Sequence, residues 1–229
     1  MFKIQIHATG SKGNAYSICD GDHKILIDPG IRFKNLQRKT NYNLSGYDFV
    51  LLSHEHKDHS RAIQELLHIG GNCYMSEGTR DALGLMHSSA LIIESECDFR
   101  RDGWHVLPFR TQHDAAEPLG FLIQSPTKKK ICFATDTARI DFDFSGVTHW
   151  LVEANYSEEL LAESTRPETV KDRIRASHMS IENLCEFFKR QDLSVTEKIY
   201  LIHLSDDNSD EKVFHKKVID ATGKPTLLM

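Results

Sequence analysis

The first residues, Met1-Phe2-Lys3-Ile4-Gln5-Ile6-His7, alternate apolar and polar side chains, the period-2 pattern of an edge or half-buried strand. A strand is predicted over 15–20, then a tight Asp20-Gly21-Asp22 turn and a strand over 24–28, which together have hairpin form. Residues 32–40 carry weak helical propensity, and Phe49-Val50-Leu51-Leu52 is a short apolar run suited to a buried strand. Ala62, Ile63, Leu66 and Leu67 then fall at helical spacing, with Ser60 as candidate N-cap. Further strands are predicted at 72–75, 90–93, 104–109, 119–125, 130–135 and 148–153, with a helix near 77–85. Helices follow at 156–164, at 167–175 and after Ser180, and the chain closes with strand 198–203, helix 210–221 and a short strand 225–228. Two β-rich halves, each followed by helices, predict an α/β fold of the αββα sandwich type, two mixed β-sheets flanked by helices. No linker, repeat or low-complexity tract interrupts 1–229, so one domain is expected.

Composition narrows the class. Of the 229 residues, 40% are hydrophobic and 27% charged, enough apolar material for a sizeable core without disulfides or structural metals. The N-terminus lacks the basic start and apolar run of a signal peptide. No apolar run approaches the roughly 18 residues needed to span a bilayer, so no membrane association is expected. Cys19, Cys73, Cys97, Cys132 and Cys185 are odd in number and widely spaced, which argues against a disulfide scaffold and against a cysteine zinc site. A reducing cytoplasm is the expected location. The net charge of −5 does not by itself favour a nucleic-acid binder. Two bound divalent ions would add about +4 at one spot, so local charge matters more than the sum.

The chemistry concentrates in Ser53-His54-Glu55-His56-Lys57-Asp58-His59-Ser60, with four candidate ligands within six residues. A helix would put His54 and Asp58 on one face but turn His56 away. A strand would align His54, His56 and Asp58 but turn His59 away, so convergence of all four predicts a loop. An apolar strand before it and an amphipathic helix after it supply that context, which is where α/β proteins place ligand-bearing loops. The fourth position after His54 is Asp58, so this is not the HExxH of zincins. Imidazole and carboxylate donors suit zinc, and also iron or manganese. Three protein ligands suffice for one catalytic zinc, and the larger number here points to two ions.

The segment His54-Glu55-His56-Lys57-Asp58-His59 resembles the HxHxDH motif of the metallo-β-lactamase superfamily. Leu26-Ile27-Asp28-Pro29-Gly30 resembles its first motif, and His113, after the strand ending near Phe109, its third. Thr135-Asp136-Thr137 resembles the fourth, and His203, ending Ile199-Tyr200-Leu201-Ile202, the fifth. The ordered set covers nearly the whole chain. The resemblance implies two divalent metal ions, Zn2+ or Mn2+. One would take His54, His56 and His113, the other Asp58, His59 and His203, with Asp136 bridging them. Asp28 would orient a ligand imidazole from behind and so fix its tautomer. His203 is preferred to His178 as the last ligand, because its apolar strand places it at a sheet's end.

Among these residues the expected catalytic side chains are Asp58, Asp136 and His178. Ser177-His178-Met179-Ser180 is similar to the [GS]-H-[LM]-[ST] element of nuclease branches, whose histidine contacts the scissile phosphate and can assist the leaving group. The loop Thr9-Gly10-Ser11-Lys12-Gly13-Asn14, with Glu153-Ala154-Asn155-Tyr156 and His203-Leu204-Ser205, is similar to the YycJ-like (WalJ-like) branch, which implies 5′→3′ exonuclease activity on DNA. Ser11, Asn14, His178 and Asn208 are the candidate substrate contacts. Two basic runs, Arg32-Lys34-Arg38-Lys39 and Arg166-Lys171-Arg173-Arg175, could hold phosphates if they flank the site. The resemblance implies nucleic acid, as DNA, as the substrate, and no base-reading motif is present, so low sequence specificity is expected. His7, His23, His68, His87, His105, His149 and His215 show no partner pattern and read as surface or core residues.

Two other readings compete. The same dinuclear site would serve a carboxylic-ester, lactone or thioester hydrolase, since fold alone does not choose among them. A non-catalytic metal-binding module is the third reading, and the full ligand set argues against it. Asp136 and His203 stand 67 positions apart, which leaves no room for the inserted domain of RNA-processing β-CASP enzymes. A flavin-binding extension is also lacking, so an oxygen or nitric oxide reductase is not expected.

Overall fold

The computed structural model describes residues 1–228 and builds two mixed β-sheets with helices between their strands. The six-stranded sheet runs in sequence order: β1 (Phe2–Ala8), β2 (Ala15–Asp20), β3 (His23–Ile27), β4 (Phe49–Leu51), β5 (Cys73–Met75) and β6 (Ala90–Ile92). β1, β2 and β3 pair antiparallel, and β3 to β6 pair parallel. Parallel neighbours need crossovers. These are α1 (Phe33–Lys39), then α2 (Lys57–Ser60) with α3 (Ile63–His68), then α4 (Glu77–Ala82).

The seven-stranded sheet holds β7 (Phe99–Arg101), β8 (Trp104–Arg110), β9 (Leu119–Gln124), β10 (Lys130–Ala134), β11 (His149–Glu153), β12 (Lys198–Ile202) and β13 (Thr226–Leu228). β7 and β8 form a hairpin, β9 and β10 are antiparallel, and β10 to β13 are parallel. Their crossovers are α5 (Glu158–Glu163), α6 (Glu168–Ser177), α7 (Ile181–Arg190) and α8 (Glu211–Thr222).

Contacts divide the chain into two compact units. The first comprises Met1–Arg110 with Ala115–Leu119 and Ser125–Thr127; the second comprises Thr111–Asp114, Gly120–Gln124 and Lys128–Met229. In the first, Leu26 and Val50 from the sheet meet Leu36, Ile63, Leu66 and Leu67 from the helices, all buried. In the second, Trp150 on β11 is fully buried, with Phe187 and Phe188 of α7 edge-on at 5.7 and 5.5 Å. Truncating such an aromatic in a core costs about 3–5 kcal/mol.

The α/β class with two mixed sheets is the one expected from the pattern. Two local expectations change. Ser60 does not cap the following helix; it closes α2, its Oγ donating to the carbonyls of Glu55 and His56, and Ala62 takes the N-cap position of α3. β7 was not foreseen, because Phe99-Arg100-Arg101 has only three residues and two of them are exposed arginines. All five cysteines are free thiols. Among the described residues no helix is long and apolar enough to cross a membrane.

Three non-glycine residues adopt left-handed backbone just beyond the ends of parallel-paired strands: Asp28 after β3 (φ 51), Asp136 after β10 (φ 45) and His203 after β12 (φ 55). Such conformations cost of order 1–3 kcal/mol each and cluster at functional sites. The outliers fall on residues that the metal motifs single out.

Candidate metal centre

In the first unit, β4 delivers Ser53 and His54, and His56 stands as N-cap of α2. The 54–59 segment is therefore not loop throughout, as the spacing predicted. His54 and His56 come from extended residues, while Asp58 and His59 ride on one helical turn closed by His59 N–H and Ser60 N–H to the His56 carbonyl, both at 2.9 Å. The rings stay close: His54 lies 4.7 Å from His56 and 4.2 Å from His59, centroid to centroid. Gly30 makes this approach possible, since a Cβ there would lie 1.6 Å from the Asp58 carbonyl oxygen.

Asp28 sets the proton positions. It is fully buried and accepts from Ser53 N–H at 2.8 Å, from Ser53 Oγ–H at 2.8 Å and from His59 Nδ1–H at 2.9 Å. Ser53 has given its one proton to Asp28, so the 2.9 Å contact between Ser53 Oγ and His54 Nδ1 requires His54 to donate. Both imidazoles thus carry the proton on Nδ1 and present a lone pair at Nε2, the form that ligates metal. Asn14 is fully buried; its Nδ2 lies 3.0 Å from His59 Nε2 and 3.3 Å from the Asp58 carbonyl, and its Oδ1 accepts from Gly10 N–H and Tyr16 O–H at 2.9 Å. Its contacts hold the ligand turn from behind. Ser11 is exposed in the neighbouring turn.

The second unit holds His113, Asp136 and His203. His113 donates Nδ1–H to the Ser177 carbonyl at 2.8 Å, and its Nε2 faces Asp136 Oδ2 at 3.5 Å. Burial, outweighing the charge of Asp136, lowers the His113 pKa and keeps the ring neutral. Asp136 is buried, with Thr135 Oγ1 donating to Oδ1 at 2.7 Å. His203 Nδ1 lies 2.9 Å from Glu153 Oε1 and 3.2 Å from Asp136 Oδ1, and Asn155 Nδ2 donates to the His203 carbonyl at 3.0 Å.

Glu153, which the sequence reading quoted only within a resemblance, received no role there. It ends β11, is fully buried, and accepts four hydrogen bonds. Oε1 takes His178 Nδ1–H at 2.7 Å and His203 Nδ1–H at 2.9 Å; Oε2 takes Thr137 N–H at 2.9 Å and Met179 N–H at 3.2 Å. Burial opposes its ionisation, but the His178 charge and the two imidazole hydrogen bonds prevail and lower its pKa. Burial likewise works to lower the His178 pKa, and Glu153 more than offsets it, so the net direction is up. The signal available in the sequence was a single acid ending the apolar run His149-Trp150-Leu151-Val152.

His178 sits between α6 and α7, only partly buried, its ring 5.2 Å from His113 and 5.6 Å from His203. Asn208 is buried, with Nδ2 donating to Ser205 Oγ at 3.3 Å and its carbonyl accepting from Ser157 N–H at 3.0 Å. The second basic run is neutralised. Arg166 pairs with Asp207, Lys171 lies 3.9 Å from Glu168, Arg173 pairs with Asp114, and Arg175 pairs with Glu158, Glu168 and Asp172. It offers little to a phosphate. The first run, on and beside α1, forms no ion pair among the described residues.

Neutral imidazoles fixed on Nδ1, with buried carboxylates at strand ends, make up the donor set of a metallohydrolase. The chain belongs to the β-lactamase superfamily: residues 23–204 match its domain. Within that class it is a metal-dependent hydrolase, and its relatives are nucleases by name. It is 28% identical over 243 residues to the exodeoxyribonuclease WalJ of Streptococcus pneumoniae, covering 99% of this chain and 90% of that protein. It is 27% identical over 230 residues to the exodeoxyribonuclease YycJ of Bacillus anthracis, covering 94% and 87%. The metallo-β-lactamase fold protein YhfI from Bacillus subtilis superposes with a TM-score of 0.73 at 15% identity, over 100% of this chain and 97% of that one.

Proposed function

We propose that the chain is a metal-dependent phosphodiesterase acting as a 5′→3′ DNA exonuclease on two divalent ions, Zn2+ or Mn2+. The observation that carries the reading is the common tautomer: His54, His59, His113 and His203 each have Nδ1 engaged by an oxygen acceptor, leaving Nε2 as the donor atom. The number of donors supports the count of two: the first unit carries His54, His56, Asp58 and His59 within six residues, and in the second Asp136, Glu153, His178 and His203 offer ligand atoms within 4.8 Å of one another. A buried Asp136 among ligating histidines also fits a cation better than an apolar site. DNA as substrate, and the 5′→3′ polarity, follow from likeness to proteins named exodeoxyribonucleases.

When bound, the ions supply positive charge and a water acidified to near neutral pH. The protein's residues do the rest. Asp28 and Glu153 hold ligand imidazoles in one orientation, so little reorganisation accompanies the reaction. His178, its Nδ1–H pinned to Glu153, points Nε2 away from that carboxylate. Glu153 outweighs burial and raises the His178 pKa, which favours a proton on the ring, suited to protonating a leaving oxygen.

The test is metal-reconstituted protein assayed on end-labelled single- and double-stranded DNA, RNA, a generic phosphodiester and a lactone, with Asp58→Ala as blank. Release of nucleotides from the 5′ end, lost in Asp58→Ala and reduced at least about 100-fold in His178→Ala, is expected. Turnover of the lactone with all nucleic acids inert, or with His178→Ala unimpaired, points instead to an ester or lactone hydrolase. Two bound metals with no turnover on any substrate point to a non-catalytic module.

A further inference from the structure

His7, which has no partner in the sequence pattern, belongs to a second polar site in the first unit. A bulge in β1 between Ile6 and Ala8 makes His7 the extra residue, and bulges re-aim side chains. His7 Nε2 lies 2.7 Å from Ser17 Oγ, which lies 2.7 Å from the Tyr47 hydroxyl. His7 and Ser17 are buried. The three groups carry three protons for two hydrogen bonds, so one donor remains to be given elsewhere.

His7 and Tyr47, the two ends of that chain, line a cavity of about 150 Å3. Lys24 and Lys39 also line it, with Gln5 and Asn41, and no carboxylate does. Neither lysine forms an ion pair among the described residues. Burial first, then the charges of Lys39 and Lys3, hold His7 down at about 4, so these cations are felt inside the cavity while the ring stays neutral. The carbonyls at the end of α1 do not oppose an anion there: Leu36, Gln37 and Arg38 already accept from the N–H groups of Thr40, Tyr42 and Asn41. Asn41 and Tyr42 are both left-handed (φ 52 and 57), a strained turn that swings the loop to the cavity's rim. A concave, acid-free site with unpaired cations and a spare donor, in a protein of net charge −5, has the chemistry of an oxyanion receptor.

We infer that this cavity is a binding site for a phosphoryl group, held by Lys24 and Lys39 with a hydrogen bond from the His7–Ser17–Tyr47 chain. The inference is independent of the metal reading. The phosphoryl group can come from a free phosphate or mononucleotide, or from the backbone of a DNA strand.

The experiment is a titration of zinc-loaded, 15N-labelled protein, reading the His7 imidazole and the amides of β1 and 39–43. The probes are inorganic phosphate, thymidine 5′-monophosphate and a hydrolysis-resistant phosphorothioate oligothymidylate without a terminal phosphate. Saturable shifts at His7 are expected, weakened at least about tenfold in the double variant Lys24→Gln, Lys39→Gln, which lies on the surface and keeps the amide spectrum of the fold. Response to phosphate and the mononucleotide alone assigns a free ligand; response to the oligothymidylate as well assigns a strand. No shift at His7 with any probe overturns the site, as does the same response to sodium chloride at matched ionic strength, or an unchanged response in the double variant.

Discussion

Asp28 and His59 form a fully enclosed carboxylate–imidazole pair, Oδ2 to Nδ1 at 2.9 Å, with neither side chain exposed to solvent. Asp28 lies on the left-handed turn that ends β3 and His59 on α2, so a strained backbone and a buried acid are coupled through one hydrogen bond to an imidazole of the metal motif. Replacing Asp28 by Ala removes the acceptor of three hydrogen bonds. The metal-free variant should lose about 3 kcal/mol in chemical denaturation, from buried donors left unmade. Its zinc affinity, measured by chelator competition, should fall about 10–100-fold, because the His59 tautomer is no longer fixed. Unchanged affinity would remove Asp28 from the orienting role.

Glu153 has a stricter requirement. All four of its hydrogen bonds are accepted, two from imidazoles through Oε1 and two from backbone N–H groups through Oε2. Glu153→Gln keeps the shape but turns one oxygen into a donor, which must face another donor whichever way the amide points. Turnover should fall at least about 100-fold in the metal-loaded variant, through His178 and His203 together. Glu153→Asp, which keeps the charge but shortens the reach, should recover part of it. Steady-state kinetics on a DNA substrate separates the two variants.

The legible parts of the molecule were those written locally. Periodicity placed the strands and most helices, and Ser180 and Asp210 cap α7 and α8 by accepting from Asn183 N–H and Val213 N–H. The 54–59 cluster of candidate ligands stands out because its residues are adjacent in sequence. Glu153 does not, because its meaning arises from residues 25 and 50 positions away, which no spacing rule connects. The basic run 166–175 misled for the opposite reason: its acidic partners Asp114, Glu158 and Asp207 lie outside the run. Asn14 read as a candidate substrate contact, and only tertiary packing against Asp58 and His59 shows it enclosed.

Gly30 predicts a steric test of the ligand turn. An alanine Cβ would overlap the Asp58 carbonyl at 1.6 Å, and backbone does not yield as a side-chain end does. Gly30→Ala should displace the 57–60 turn, costing about 1–3 kcal/mol of stability as overpacking does. It should also weaken metal binding, since Asp58 and His59 move together. Calorimetric titration with zinc, beside thermal melts of metal-free protein, tests both; a variant with wild-type zinc binding would show the contact to be accommodated elsewhere.

Two buried histidines remote from the metal motif predict how stability follows pH. Burial is the first cause of lowering at both His7 and His149, and each is held at about 4 in the folded chain against 6.5 unperturbed. A depressed pKa means the unfolded chain takes up protons first. The contribution of each neutral histidine is therefore fully present above pH 6.5 and is lost as pH falls from 6.5 through about 4. Below that window no further loss comes from these groups. Solvent screening reduces the size of the effect, so the expected loss is on the order of 1–3 kcal/mol for the two together. His149→Gln should flatten this slope, since His149 packs on Tyr200 with ring centroids 6.5 Å apart and its Nδ1 lies 2.9 Å from Thr148 Oγ1, away from the metal motif. Urea denaturation of metal-free protein at half-unit steps from pH 7 to 4 gives the two curves. Wild type should lose stability relative to the variant as pH falls from 6.5 to about 4, with a constant difference above 6.5; curves that stay parallel throughout would assign the acid sensitivity to carboxylates instead.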